Sequence, residues 1–125
     1  MSESTCCGGG ARILFSCSGA ADTGEICDRA TRQLQREGLG RMSCLALVGA
    51  GSSGLVASAN GADAVLALDG CPTDCARKVL EANGITGFIH LRATDLGLVK
   101  GKTPVTPEAV EQVATEGRHR LAEKA

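Results

Sequence analysis

Short runs of apolar residues alternate along the chain with longer segments in which apolar residues recur at helical spacing. Continuous apolar runs occupy residues 13–15 and 64–68, another lies within residues 41–48, and residues 88–91 are apolar except for His90. Runs of this length without polar alternation are typical of strands that are covered on both faces. The pattern therefore predicts four buried strands.

The segments between and after these runs carry helical signals. Residues 22–37 have an apolar stripe that contains Ile26, Cys27, Ala30 and Leu34. Pro72 suits the first turn of a helix that runs to about Asn83, and Thr106 is a suitable cap for a last helix with Pro107 at its first position. Each predicted strand is thus followed by a helical or turn segment.

This alternation predicts an α/β domain with a single open parallel four-stranded sheet and helices on both faces, a three-layer, Rossmann-like or flavodoxin-like arrangement. We expect the strand order 2-1-3-4, which creates a switch point between the first and third strands. Ligands of such sheets bind near that point, at the carboxyl ends of the strands. Residues 1–10 (MSESTCCGGG) predict a flexible tail, so residues 11–125 are expected to form one domain.

Composition excludes several classes of function. The 125 residues carry a net charge of −1 and include two Phe, with no Trp or Tyr. A chain without basic excess or aromatic platforms is not expected to bind nucleic acid. It has no secretory signal pattern and no apolar stretch near the ~18 residues needed for a membrane span. We therefore expect a cytoplasmic protein with no membrane partner.

Seven cysteines are the main chemical signal. Disulfides are rare in the cytosol and an odd number cannot pair fully, so metal binding or thiol chemistry is favoured. Cys17 follows the first predicted strand and Cys71 the third, on either side of the expected switch point. Cys71, just before Pro72, would cap the helix, and Cys75 would lie one turn further on the same side.

The position of Cys44 depends on where the second strand ends. If the strand runs to Val48, Cys44 lies about 13 Å from the carboxyl edge, at roughly 3.3 Å per residue. If the strand ends at Cys44 and a helical turn begins at Leu45, the thiol reaches the same edge as Cys17 and Cys71. Four thiolates at about 2.3 Å would then make a closed tetrahedral zinc site, which leaves no position for a catalytic water.

Three motifs in this order resemble the DGC-domain family of zinc-binding proteins. They are Cys17-Ser18-Gly19, Cys44-Leu45-Ala46 and Asp69-Gly70-Cys71-Pro72-x-x-Cys75-Ala76, and the resemblance spans about residues 11–97. It implies zinc held by Cys17, Cys44, Cys71 and Cys75, and it implies no established reaction. The first hypothesis is therefore a small, non-enzymatic protein that binds one Zn²⁺ for a structural, storage, sensing or transfer role, with its protein partner unknown.

A second hypothesis is a thiol enzyme or a redox or sulfur carrier, with Cys71 as nucleophile and Cys75 as resolving thiol. The run from Cys71 to Arg77 also matches the C-x5-R loop of phosphatases and arsenate reductases, although Pro72 and Asp74 argue against an anion there. The other five cysteines and histidines are interpreted as structural or incidental: Cys27 as a core residue, Cys6 and Cys7 as tail thiols, and His90 and His119 as residues without ligand-like spacing. Asp69 and Asp95 end strands at the same edge and could orient ligands.

Overall fold

Four parallel strands form the sheet of the computed structural model, which describes residues 11–17 and 19–124. They are β1 (Arg12–Ser16), β2 (Arg41–Met42), β3 (Ala64–Asp69) and β4 (Ile89–Arg92). Their order is β2-β1-β3-β4, and all neighbours pair in parallel. The predicted α/β class and the strand order 2-1-3-4 are confirmed, and the sheet is open with helices on both faces. The switch point lies between β1 and β3.

Within residues 11–17 and 19–124, five α-helices connect and follow the strands. They are α1 (Asp22–Arg36), α2 (Leu45–Gly49), α3 (Ser53–Asn60), α4 (Cys75–Ala82) and α5 (Pro107–Lys124), and a 3₁₀ turn follows β4 at Ala93–Leu96. The predicted cap of α5 is confirmed, because Thr106 Oγ1 accepts a hydrogen bond from the N–H of Ala109 at 3.2 Å. No described helix combines the length and the hydropathy that crossing a bilayer requires.

The sheet separates two apolar cores. Alternate residues of a strand point to opposite faces, so Leu14 packs with α1 and α5 while Phe15 packs with α2, α3 and α4. Both side chains are fully buried. Cys27 lies in the first of these cores, as its place on the apolar stripe of α1 predicted. The sheet thus has helices on each face, while its carboxyl edge carries the loops after β1, β2 and β3.

The ambiguous second strand is short. β2 ends at Met42, the N–H of Ser43 makes one more bond to the carbonyl of Leu14 at 2.8 Å, and α2 begins at Leu45. Cys44 is the N-cap residue of α2. Of the two arrangements considered for residues 41–48, the structure has the one that brings residue 44 to the carboxyl edge of the sheet.

The helix that follows β3 does not begin where the sequence predicted, so that prediction is wrong. α4 begins at Cys75 and not at Pro72, because Asp74 adopts a left-handed conformation with φ 55° and ψ 47° that no α-helix can contain. Cys71 therefore does not cap the helix. It opens a tight turn in which the N–H of Asp74 donates to its carbonyl at 3.0 Å. Cys71 and Cys75 lie at opposite ends of this turn and do not share a helical face.

Candidate functional site

The motif Asp69-Gly70-Cys71 begins at the last residue of β3, and that residue, Asp69, organises the start of α4. The Asp69 carboxylate is 1% exposed and accepts hydrogen bonds from the N–H groups of Ala76 at 2.7 Å and Arg77 at 3.1 Å. These are N–H groups of the first helical turn, which have no partner within the helix. Asp69 also lies 2.8 Å from Nε2 of His90. The strand-end carboxylate therefore fixes α4, and with it Cys75, relative to the sheet.

Gly70 permits a backbone contact between the two loops of the switch point. A Cβ at this position would lie 2.7 Å from the backbone N of Gly24 and 2.8 Å from the carbonyl carbon of Thr23, both at the start of α1. Gly24 in turn approaches Gly19, since a Cβ on Gly24 would lie 3.0 Å from the Gly19 Cα. The loops that carry Cys17 and Cys71 are consequently packed backbone to backbone.

Three of the four predicted ligands line one cavity at this switch point. Cys17, Cys71 and Cys75 contribute to a cavity of about 140 Å³ between the loops after β1 and β3, and Lys100 lies at the same cavity. Cys44 is exposed at the same edge of the sheet, after the neighbouring strand, but it does not line the cavity. Among the described residues, the cysteine sulfurs do not form a group of three within 4.8 Å of one another.

The surroundings of the Cys17 thiol shift its pKa in two opposing directions. Partial burial raises its pKa, and the nearby Asp69 and Cys75 act in the same direction. The backbone N–H groups of Gly70 and Gly19 hydrogen-bond its sulfur and act to lower the pKa. These two N–H groups are available because the loops are glycine-containing and meet closely. They supply positive dipoles that a metal-bound thiolate would require.

The Cys71 thiol has its pKa lowered, chiefly by the hydroxyl of Thr73, with smaller effects from the Thr73 backbone and the Lys100 ammonium. Sγ lies 3.4 Å from Thr73 Oγ1, and Lys100 Nζ donates to Sγ at 3.6 Å. The lysine loop is fastened to α1, since the N–H of Gly101 donates to both carboxylate oxygens of Asp22 at 3.0 and 2.9 Å. Cys71 is thus the thiol of this site that is best prepared to ionise.

A thiol-labelling experiment tests this difference between cysteines. In chelator-treated, reduced protein we expect iodoacetamide to modify Cys71 rapidly, whereas Cys27 should react only after unfolding, because it is fully buried and burial raises its pKa. Lys100→Met should slow Cys71 labelling by a factor of about two to five, and Lys102→Met serves as the control. Peptide mapping by mass spectrometry gives the rates, and equal rates for Cys71 and Cys27 in native protein would contradict the assignment.

Asp74 is the centre of a charged network that the sequence did not reveal. Its carboxylate is 2% exposed and accepts from Arg92 Nε at 2.8 Å and from a terminal nitrogen of Arg92 at 2.6 Å. Arg77 adds a further bond at 2.9 Å. Arg92 bonding holds the pKa of Asp74 well below its usual range, although burial opposes this. The two arginines therefore stabilise the strained turn between Cys71 and Cys75.

One group of side chains, Asp69, Asp74 and His90, has ligand atoms within 4.8 Å of one another. Its oxygen atoms already have partners: those of Asp69 accept from the start of α4, and those of Asp74 accept from Arg92 and Arg77. Two guanidinium groups beside Asp74 would also repel a cation. The arrangement is that of a structural ion-pair network which supports the thiol-bearing turn.

Arg77, the arginine of the C-x5-R match, is engaged in this network. It donates to Asp74 and to Glu81, the latter at 3.4 Å. An arginine that neutralises a buried carboxylate is poorly placed to hold an oxyanion. This geometry argues against the hypothesis that the turn is a phosphatase-like anion-binding loop.

Comparison with known proteins found a matching family profile and a similar sequence. A protein-family profile described as "DGC domain" matches residues 13–116. A relative from Pseudomonas aeruginosa, the "Anaerobic and virulence modulator AnvM", is 33% identical over 88 residues, which cover 70% of this chain and 67% of the relative. The comparison with solved structures gave no match. The aspartate at the end of β3 and the glycine and cysteine after it stand in the matched region, and the chain belongs to the DGC-domain family.

Proposed function

We propose that this protein binds one zinc ion through the thiolates of Cys17, Cys44, Cys71 and Cys75 at the carboxyl edge of its sheet. The observation that carries this proposal is the shared cavity of Cys17, Cys71 and Cys75, with Cys44 following the adjacent strand at the same edge. Membership of the DGC-domain family supports it. The bound ion would serve a structural, storage, sensing or transfer role.

The chemistry of the donor set fits such an ion. Thiolate sulfur suits Zn²⁺, and four thiolates around it leave a net charge of −2. The surroundings offset part of that charge through the Lys100 ammonium, the Gly70 and Gly19 N–H groups at Cys17, and the positive end of α4 at Cys75. Binding would draw the sulfurs closer together than they lie here, which the loop positions of Cys17 and Cys71 allow.

Elemental analysis of the protein, expressed without added zinc and purified without chelator, tests the proposal. We expect close to one zinc per chain in the wild type and close to none in Cys17→Ser and Cys71→Ser. Cys27→Ala should keep its zinc, since Cys27 lies in the apolar core and not at the cavity. A Cys6→Ser/Cys7→Ser double variant shows how much of the bound zinc depends on these two cysteines, which lie outside the described part of the chain.

Two results would contradict the proposal. One is a wild-type protein with far less than one zinc that also fails to take up zinc when it is reduced and titrated. The other is a Cys71→Ser variant with the same zinc content as the wild type.

The lowered pKa of Cys71 favours a second candidate, a thiol enzyme or a redox or sulfur carrier with Cys71 as nucleophile and Cys75 as resolving thiol. Thiol accessibility distinguishes the two functions. A metal site protects its four ligands, Cys17, Cys44, Cys71 and Cys75, from alkylation until a chelator is added, whereas a nucleophilic thiol reacts at once.

A further inference from the structure

Three cysteines, rather than four, line the cavity between the loops after β1 and β3. They are Cys17, Cys71 and Cys75, called here the three cavity thiols, and the cavity measures about 140 Å³. Cys44 is not part of its lining. An ion that needs only three sulfur ligands therefore finds all of them at one cavity, whereas an ion that needs four must also draw in Cys44 from its place before α2.

Among the described residues, the thiol sulfurs are the ligand atoms best suited to an ion at this cavity. Two carboxylates, those of Asp69 and Asp74, also line it. Their oxygens already accept hydrogen bonds, from the first turn of α4 and from arginine side chains respectively. Thiolate ligands select soft ions, while oxygen ligands suit hard cations such as Mg²⁺ and Ca²⁺. We therefore expect a guest that bonds to sulfur.

The balance of charge favours a trivalent guest. Burial and, to a smaller degree, the Asp69 carboxylate raise the pKa of Cys17, so negative charge on this thiol is disfavoured. Three thiolates around a divalent ion leave a net charge of −1, and four leave −2. Three thiolates around a trivalent centre leave none. A neutral complex requires no countercharge next to the buried carboxylate of Asp69.

We propose that this cavity binds trivalent arsenic, taken up as arsenous acid, As(OH)₃, through the sulfurs of Cys17, Cys71 and Cys75 and without Cys44. This inference goes beyond the proposed zinc binding and does not require zinc to be the resident ion.

Binding is a condensation that conserves atoms and charge. One As–O bond breaks for each As–S bond that forms, and the thiol proton leaves with the hydroxyl group as water. Three such steps release three waters, and arsenic stays trivalent, so no oxidant or reductant takes part. The cavity has room for the incoming acid, because a water needs about 10–15 Å³ of such volume and As(OH)₃ has only four heavy atoms.

The first test maps the thiols that arsenite protects. The full-length, reduced and metal-free protein carries Cys6→Ser and Cys7→Ser, which remove two adjacent thiols outside the described residues. It is alkylated with N-ethylmaleimide with and without one equivalent of sodium arsenite. Peptide mapping should show that arsenite slows labelling of the three cavity thiols and leaves the rate at Cys44 unchanged. Zinc, by the function proposed above, should protect Cys44 as well.

Two labelling results would overturn the proposal. One is arsenite protection of Cys44 as strong as that of Cys17. The other is the absence of arsenite protection at Cys17.

The second test compares arsenite affinities by titration and native mass spectrometry, which counts bound arsenic directly. Cys44→Ser should bind within about twofold of its parent, whereas Cys17→Ser and Cys75→Ser should bind at least about tenfold more weakly, because they lose one of three tethered ligands. Cys27→Ala is the matched control and should bind like the parent, since Cys27 lies in the apolar core. Equal losses in Cys44→Ser and Cys17→Ser would contradict the proposal.

A variant that fails to fold is recognised by circular dichroism, and a second reagent keeps the comparison informative. Phenylarsine oxide forms only two As–S bonds, so it should still bind Cys17→Ser through Cys71 and Cys75. Retention of phenylarsine oxide with loss of arsenite supports a three-sulfur site. Equal retention of both reagents by this variant counts against it.

A competing monothiol distinguishes a built site from ordinary thiol chemistry. Three thiols at one cavity act at a high effective concentration, so bound arsenic should survive about a tenfold molar excess of glutathione. Transfer of the arsenic to glutathione at that ratio would refute the site.

Failure of this inference and failure of zinc binding give different results. A protein that takes up zinc but shows no arsenite protection keeps the proposed function and loses the inference. A protein that takes up no zinc but holds arsenite on the three cavity thiols does the reverse.

Discussion

Gly70→Ala is expected to destabilise the domain by about 3 kcal/mol, at the upper end of what overpacking costs. The new Cβ would stand 2.7 Å from the Gly24 nitrogen and 2.8 Å from the Thr23 carbonyl carbon. Both are backbone atoms at the start of α1, so no side-chain rotation relieves the contact. The start of α1 and the end of β3 would have to move apart, which would also separate Cys17 from Cys71.

Gly54→Ala is the matched control for this variant. Gly54 lies within α3 and a Cβ there meets nothing within 4 Å, so alanine should be neutral or stabilising by roughly 0.5–1 kcal/mol. Urea denaturation of chelator-treated protein gives both free energies of unfolding. If Gly70→Ala unfolds at the same urea concentration as the wild type, the close contact between the loops is not as described.

Asp74→Asn is expected to have the second large effect, lowering the free energy of unfolding by about 3 kcal/mol at neutral pH. Asparagine tolerates the left-handed conformation of this residue, so the substitution changes the charge and not the backbone. The buried amide would leave two guanidinium groups, those of Arg92 and Arg77, beside one neutral oxygen that accepts and one NH₂ group that can only donate. Asp74→Ala would add backbone strain and should be more destabilising.

The difference in unfolding free energy between the wild type and Asp74→Asn should depend on pH in a direction that the Asp74 pKa determines. The pKa of Asp74 is lowered by folding, so its stabilisation is complete above the unfolded value of about 3.9 and is lost as pH falls through the lower folded value. The difference in unfolding free energy between the wild type and Asp74→Asn should therefore become smaller below about pH 4. Glu37 and Glu111 also have their pKa lowered to about 2, chiefly by hydrogen bonds from Arg118, but they are unchanged in both proteins and cancel in the difference. A constant gap from pH 7 to pH 2.5 would contradict the assignment.

Apolar patterning sufficed to place the four strands and most helices, because buried strands and amphipathic helices leave direct marks on the sequence. The strand order 2-1-3-4 was an expectation from the fold class, and no individual residue determines it. Apolar patterning did not settle residues 41–48, where apolar residues satisfy both a strand and a short helix. It placed the start of α4 wrongly, since Pro72 is a good first residue for a helix, while the left-handed backbone at Asp74 leaves no local signal. Cys17, Cys71 and Cys75 were expected at one edge of the sheet because they follow strand ends. In the structure these three residues line one cavity.

Long-range pairing accounts for what was missed at the site. Arg92 ends β4 next to β3, so its place at the carboxyl edge could have suggested a partner, but nothing local identifies that partner as Asp74. Lys100 comes from a polar loop, and its approach to Cys71 depends on Asp22, which is far away in sequence. The close approach of Gly70 to Gly24 at the start of α1 likewise appears only in three dimensions.

The tether between Asp22 and Gly101 has a consequence for biosynthesis. All of the proposed ligand thiols leave the ribosome before the lysine that stands over Cys71, and before α5, which completes the core beside α1. Domains tend to fold as whole units during synthesis. A nascent chain of which only residues up to about 96 have emerged therefore presents its cysteines without their cation or their finished scaffold, so the proposed zinc site would be completed only after α5 has emerged.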